Sequence, residues 1–303
     1  MNALGSRSRS TINRLLFLGP ATLLLALFFV VPVIVDIGIA FTDMGRDLKV
    51  TGFTTENFQR MLGGDSRLSS VMLTTLTYVV FTLSLFNIGY ALVLALVTTA
   101  LPDRAGGFFR AIWFLPRMSP SVVYALLWSW VVAPTDYGLL NQALAGLGLP
   151  LADLKSNAPM VVVVLANGFI GASFGMIIFT SAIRAIPQHL FYAAQADGAG
   201  RLAIVRHITL PAIRWQLSFV TIYQALALLV SFEYIWLITN GGPFYDTTVY
   251  ALYVYRRAFE NGQYAYGAAL ALGLVAIGVV LALVLWRFFD MRALLQKSRI
   301  EVH

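Results

Sequence analysis

The polar groups that interrupt the apolar stretches of this 303-residue chain are of kinds that bind rather than break bonds. In "LSFVTIYQALALLVSFEYIWLIT" the interruptions are Gln224, Ser231, Glu233 and Tyr234. In "VVVVLANGFIGASFGMIIFT" they are Asn167 and Ser173, followed by Phe174. Amides and hydroxyls both donate and accept hydrogen bonds. Gln224 and Ser231 are seven residues apart, so a helix would place them on one face with Leu228 between them. Groupings for bond chemistry are missing from the sequence. It has no cysteine, hence no thiolate nucleophile or metal ligand. His189, His207 and His303 lack metal-ligand spacing, so no metal site is expected. No carboxylates pair and no nucleophile lies beside a base, so no catalytic residue is assigned. Without a G-x-x-x-x-G-K-[ST] stretch the chain cannot supply a P-loop.

Other charged groups in apolar runs have plain readings. Glu233 lies near one end of its run, where it reaches water or pairs with a basic group. Arg117 lies close to the end of another and can snorkel; an anionic solute would give it a further role. Asp36 reads as interfacial. Gly171 and Gly175 form a small-xxx-small pair, the usual mark of close helix packing.

A second kind of interruption is "IPQHLFYAAQADGAGRLAIVRHITLP", residues 186–211, which is polar along its length. Pro187 suits the first turn of a helix. Residues 188–196 then form a short helix with Leu190, Phe191, Ala193 and Ala194 as its apolar surface. Asp197-Gly198 ends it, because Gly198 tolerates positive φ, and Asp197 can cap the next helix. That second helix, over about 200–207, carries Arg201 and Arg206, and Pro211 limits how the next segment begins. Such an elbow is a docking element; from spacing alone, an ordinary re-entry loop fits equally.

The elements around these groups are set by composition. The chain is 59% hydrophobic and 12% charged, against about a quarter charged in soluble domains. Lipid is therefore the expected solvent for most of it. A membrane span needs roughly 20 apolar residues. Six segments qualify, approximately 15–40, 70–99, 111–133, 159–182, 216–238 and 266–288. The N-terminal run is too long for a signal peptide and reads as an uncleaved first span. Thirteen Lys and Arg lie in the two tails, the 100–110 loop and the 183–215 loop, and seven in the opposite loops. The positive side is expected to be cytoplasmic, with both termini and the elbow. The net charge of +7 is thus a matter of topology, and no nucleic-acid partner is expected. Two outer stretches, 52–62 and 246–267, have amphipathic spacing. Each lies flat at the interface or packs as a loop helix.

The elbow resembles the "EAA" loop of ABC importer permeases, E-A-A-x-x-D-G-A followed by I-x-L-P. It matches at Ala193, Ala194, Asp197, Gly198, Ala199, Ile208, Leu210 and Pro211, at the family's spacing. "AIPQHL" before it, "TNGGP" with the later "AF" and "YGAA" (237–272), and "FLPRMSPSVVYALLWSW" (114–130) resemble the carbohydrate-uptake branch, of maltose and glycerol-phosphate type. The resemblance covers nearly the whole chain. The chain departs from the pattern at Tyr192, where the family usually has Glu, and at Val205, where Phe is common.

The resemblance implies an all-α integral membrane protein: six transmembrane helices with a cytoplasmic coupling helix, the type I ABC importer permease fold. Its parts would be a cytoplasmic tail (1–14), a permease domain (15–288) containing the coupling loop 183–215, and a second tail (289–303). Tyr192, Ala193, Ala194, Asp197, Gly198, Ala199, Arg201, Arg206, Ile208, Leu210 and Pro211 would engage an ATPase. Gly171, Phe174, Gln224, Leu228 and Ser231 would face the solute, the alternative for each being a helix–helix contact. Expected partners are a second permease subunit (a heterodimer), two ATPase subunits carrying ATP and Mg, an extracytoplasmic solute-binding protein, membrane lipid and a sugar-like solute. No cofactor is expected on this chain, and its expected place is a bacterial or archaeal cytoplasmic membrane. Monosaccharides, oligosaccharides, polyols, glycerol phosphate and acidic sugars all remain open. The rival classes are a polytopic membrane enzyme using Glu233 or Asp36 and, less simply, a secondary transporter.

Overall fold

The structure, a computed structural model, describes residues 17–288. The expected tails, 1–14 and 289–303, and the start of the first expected span lie outside the described residues. Helices dominate, and among the described residues extended pairing is limited to one bridge, Thr42 with Phe53. The chain divides into two compact units. One joins the segment ending at Ser66 to Val254–Gly273; the other joins Arg67–Tyr253 to the segment from Leu274 onward.

In the first unit, helix α1 spans Phe17–Ala40. Its exposed side chains include Leu23, Leu27, Phe28, Val33 and Ile34, a surface suited to lipid. A π-helical register at Ala26–Val30 directly precedes Pro32, whose missing N–H removes one i→i−4 bond. The stretch expected to be helical from 52 forms helix over Glu56–Gly64, with the Thr54 hydroxyl accepting from Glu56 N at 3.1 Å. Asp65 accepts from the Tyr266 hydroxyl at 2.6 Å and lies 3.9 Å from Arg257, so its carboxylate is tied within this unit.

In the second unit, α2 (Leu68–Ala100) and α5 (Pro159–Arg184) form the centre. Two-thirds of the most apolar stretch of α5 is buried, against 6% for α1, so α5 is the internal helix. Its small residues explain the pairing. A Cβ added at Gly168 would lie 2.4 Å from the Phe86 ring, at Gly171 2.0 Å from Asn87 Oδ1, and at Gly175 2.5 Å from the Asn87 carbonyl. Helices that meet in lipid gain little from hydrophobic transfer and depend on such close packing. The α2 residues at this contact fall in a π-helical stretch, Thr82–Tyr90.

Among the described residues, four helices are long and apolar enough to cross a membrane: α1, α2, α5 and α10 (Tyr264–Phe288). A fifth is reached by counting α7 (Arg201–Ala212) with α8 (Arg214–Val230), which meet at a bend of 70°. Two of the six expected continuous segments are each divided. The third is α3 (Asp103–Met118) and α4 (Ser121–Val131). Pro120 cannot extend the hydrogen-bond ladder and drives Ser119 to extended backbone, ψ 144°. Much of the expected 100–110 loop is also helical, since α3 starts at Asp103. Gly106 makes this possible, since a Cβ there would lie 2.2 Å from the Thr98 carbonyl of α2. The fifth segment is α8 followed by α9 (Glu233–Thr239), with Ser231 extended at ψ 121°. No proline causes that break.

Candidate functional site

The elbow begins with Pro187 as N-cap of α6 (Gln188–Ala196). Its far end closes by a paired main-chain motif. Ala199 N donates to Ala194 O at 2.9 Å, and Gly198 N to Gln195 O at 3.0 Å. This Schellman closure requires a left-handed residue, and Gly198 supplies it at φ +77° with open space where a Cβ would be. The small Ala194 and Ala199 let the two turns close on each other. The expected cap on the next helix is different: Asp197 ends α6, while Gly200 is the N-cap of α7 and no side chain caps it. The second helix also runs further than 200–207, through Pro211 to Ala212. Pro211 is tolerated because it falls in the first turn of the closing α-helical stretch, Leu210–Ala212, after a π-helical stretch at Val205–Thr209.

Two apolar side chains moor the elbow. Phe191 of α6 and Ile208 of α7 pack against a cluster of Phe179, Ile183, Ile186, Ile213 and Val220. Anchoring that side leaves the other free. Tyr192 is 65% exposed and Leu202 81%, and Arg201, Arg206, Ala193, Asp197 and Pro211 are also exposed. Ala194, Ala199, Ile208 and Leu210 are half-buried. The sequence-selected elbow residues therefore divide into a moored side and an open one. Leu190 and Tyr192 on α6 and Leu202 on α7 are large side chains left exposed on that open side.

The residues chosen for a solute site fall into three places. Gln224 is buried on α8 and its Nε2 donates to the Gly171 carbonyl of α5 at 2.9 Å. Leu228, one turn on, is buried. Ser231 lies at the α8–α9 break, where Asn167 Nδ2 donates to its Oγ at 3.1 Å and also to the Tyr78 hydroxyl. Asn167 and Gly171 are one turn apart on α5, so Gln224 and Ser231 do turn toward a common helix. Phe174 stands elsewhere, stacked on Tyr223 at 5.0 Å with the Arg117 guanidinium 5.2 Å above its ring.

The break at Ser231 has further polar neighbours. Ser121 Oγ donates to Glu233 Oε1 at 2.5 Å. Tyr234 feels both Glu233 and Arg117, and its ring meets Tyr124 edge-on at 5.7 Å. Tyr124 donates to the Ala166 carbonyl at 2.7 Å, binding α4 to α5. Main chain freed from its helix at membrane depth is tolerated where it is buried in protein or lines water. The arrangement can hold polar hydroxyl-bearing molecules by hydrogen bonds and apolar ring faces by stacking. It holds no group of three His, Cys, Asp or Glu able to bind a metal among the described residues.

Sequence reasoning missed several of these groups. Asn87 is buried with neither amide atom bonded, and Tyr78 sits wholly inside. Asn167 was visible as a polar interruption one turn before Gly171, and that spacing was the usable signal. Nothing in sequence marked Tyr78 or Asn87, because what each meets, Asn167 and Gly171, lies on α5.

An internal small-residue helix, membrane-length helices and an exposed two-part elbow suit a component of a membrane transporter. The chain belongs to the family of binding-protein-dependent transport system inner membrane components, whose profile matches residues 90–293. It is 30% identical over 298 residues to the diacetylchitobiose uptake system permease protein NgcF of Streptomyces coelicolor, covering 91% of this chain and 83% of that one. It is 30% identical over 271 residues to the multiple sugar-binding transport system permease protein MsmF of Streptococcus mutans, covering 84% and 91%. In fold it is similar to a chain of a crystallised bacterial alginate ABC transporter bound to an alginate-loaded periplasmic protein. There the TM-score is 0.81 at 22% identity, over 98% of this chain and 99% of that one.

Proposed function

We propose that this chain is one permease subunit of an ATP-driven importer that takes a sugar or sugar-derived solute from an extracytoplasmic binding protein. It spans the membrane six times, counting α3–α4 and α8–α9 as one broken span each, with both termini cytoplasmic and residues 15–288 forming the permease domain. It pairs with a second permease subunit. The elbow is the coupling element: α6 enters a cleft on one of two ATPase subunits, which bind ATP and Mg. When ATP closes the ATPase pair, α6 moves with it. The moored contacts of Phe191 and Ile208 pass that movement to α5 and α8.

The observation that carries this reading is the elbow itself, a short helix moored on one side, open on the other and closed by Gly198. The sugar class is supported by the names of the two bacterial relatives. The solute path is supported by the broken backbone at Ser231, with hydroxyl and amide groups converging on it. Unwound spans are where transporters commonly hold solute.

The native chain lacks cysteine, so Tyr192→Cys introduces a unique thiol. In membranes containing the whole importer it should cross-link to the ATPase subunit, with a yield that changes when ATP is added. No cross-link in any nucleotide state would remove the coupling role. Ser298→Cys tests the topology: in intact cells it should resist a membrane-impermeant thiol reagent.

A further inference from the structure

Helix α8 has two unlike faces. Gln224 and Leu228 lie on the buried one, with the Gln224 amide already bonded to α5. The other carries Trp215, Phe219 and Tyr223 at successive i, i+4 positions, so the three form one stripe. Trp215 and Phe219 are 5.8 Å apart and 6° from parallel; Phe219 and Tyr223 are 6.1 Å apart and 16° from parallel. Phe174 of α5 continues the row, 5.0 Å from Tyr223 and 29° from parallel. Exposure is 45% at Trp215, 39% at Phe219 and 47% at Tyr223. The stripe starts just past the elbow bend. Its first three rings rise about 12 Å along α8 at the helical rise of 1.5 Å per residue.

Resting on the sugar-importer reading, we propose that Trp215, Phe219, Tyr223 and Phe174 form a stacking track. A sugar slides along it between the Ser231 break and the elbow end of α8. A pyranose has a face of C–H groups, and an aromatic ring presents a negative face that attracts them. A row of rings gives many overlapping positions of similar energy. That favours movement over capture at one place.

Two observations favour a wet path over lipid on this face. The exposed surfaces of α1 and α10 are largely aliphatic, with Leu24, Val33, Ile34, Val279 and Leu283, whereas this stripe is aromatic and carries an indole N–H and a phenol. It also ends at a cation: Arg117 stands 5.2 Å over Phe174, and Tyr234 lies within electrostatic reach of both Arg117 and Glu233. Charged groups inside spans tend to face a water-filled cavity or a partner.

The test uses the assembled importer, with its ATPase, second permease and binding protein, in inside-out vesicles and proteoliposomes. Phe219→Cys and Tyr223→Cys should react with a charged methanethiosulfonate, while Val280→Cys on the aliphatic face of α10 should not. Absence of reaction at both positions overturns the track, whether lipid or another chain covers it. Uptake of radiolabelled diacetylchitobiose and maltose is then measured. Phe219→Leu should lower the maximal rate about 2- to 10-fold, the range expected from loss of one aromatic contact. The half-saturating concentration of loaded binding protein should stay put. Phe219→Tyr, which keeps the ring, should transport at the wild-type rate. Wild-type rates in Phe219→Leu remove the track and leave the sugar reading standing. A wild-type complex that moves neither of these nor any of a panel of radiolabelled monosaccharides, oligosaccharides, polyols and acidic sugars overturns the sugar reading, and the track with it.

Discussion

The elbow at Gly198 and the break at Ser231 both interrupt helices, and they are held in opposite ways. Gly198 sits in a closure made by main-chain atoms within six residues, and nothing lies within 4 Å of the place its Cβ would take. The Ser231 break is held from other helices: Asn167 of α5 bonds Ser231, the same amide bonds Tyr78 of α2, and Ser121 bonds Glu233 just beyond. A local closure is stable whatever surrounds it, so it can project into open space and serve as a lever. A break held by distant side chains changes when the helices shift. On the proposed reading, that is the property a solute site needs if it is to open to alternate sides.

If the elbow is locally determined, the largest effect belongs to Gly198→Val. A non-glycine residue in the left-handed region costs about 1–2 kcal/mol, and a β-branched one more. Uptake and transport-stimulated ATP hydrolysis should fall more than about tenfold, the factor matching roughly 1.4 kcal/mol, with solute binding to the external protein unaffected. Gly198→Asn should be mild, since Asn tolerates that conformation and the space is free. Equal damage from both would mean that contact, not backbone angle, matters there.

The next effect probes the tertiary side. Gly171→Ala puts a methyl group 2.0 Å from Asn87 Oδ1, and overpacking of this kind costs about 1–3 kcal/mol. Thermal unfolding of the purified complex should register it. Because the Asn87 side chain has no hydrogen bond to lose, adding Asn87→Ala should recover most of the loss. A double variant no better than Gly171→Ala would place the strain elsewhere.

Smaller is Asn167→Leu, which removes the bonds to Tyr78 and Ser231. Losing two neutral hydrogen bonds costs about 1–2 kcal/mol net, and cysteine reactivity at position 231 should rise as the break loosens. Unchanged reactivity would show that the break stands without Asn167. Gln224→Leu should cost about 0.5–1.5 kcal/mol of stability, since its amide donates to Gly171. A drop in uptake of some sugars at unchanged stability would show that Gln224 also serves solute. Least of all, Tyr192→Ala should leave the thermal stability of the permease unaltered, because the side chain is largely exposed. Its effect should be confined to ATPase affinity.

The legible part of the molecule was the part governed by local rules. Pro187, the Ala pair, Gly198 and the apolar positions on α6 were readable because capping, positive φ and helical spacing act over a few residues. The extent of α5, the end of α1 and the start of α10 were readable from apolar length. The divided third and fifth segments were not, though Pro120 was in plain view. Apolar composition continues straight through both breaks, so hydropathy does not register them. The aromatic stripe on α8 was present as Trp215, Phe219 and Tyr223 at helical spacing, but spacing does not say which face is buried.

By itself, then, the sequence determined that much of this chain is apolar helix of membrane length, where its long helices run, and that its elbow turns at Gly198. Main-chain geometry and transfer from water act on neighbouring residues, and neighbours are what a sequence records. Only the tertiary structure decided that Gln224 meets Gly171, that Asn167 holds Ser231 and Tyr78 together, and that α8 turns its rings outward. Those outcomes depend on how closely α2 can approach α5 at three glycines. That distance is set by side chains far apart in the chain.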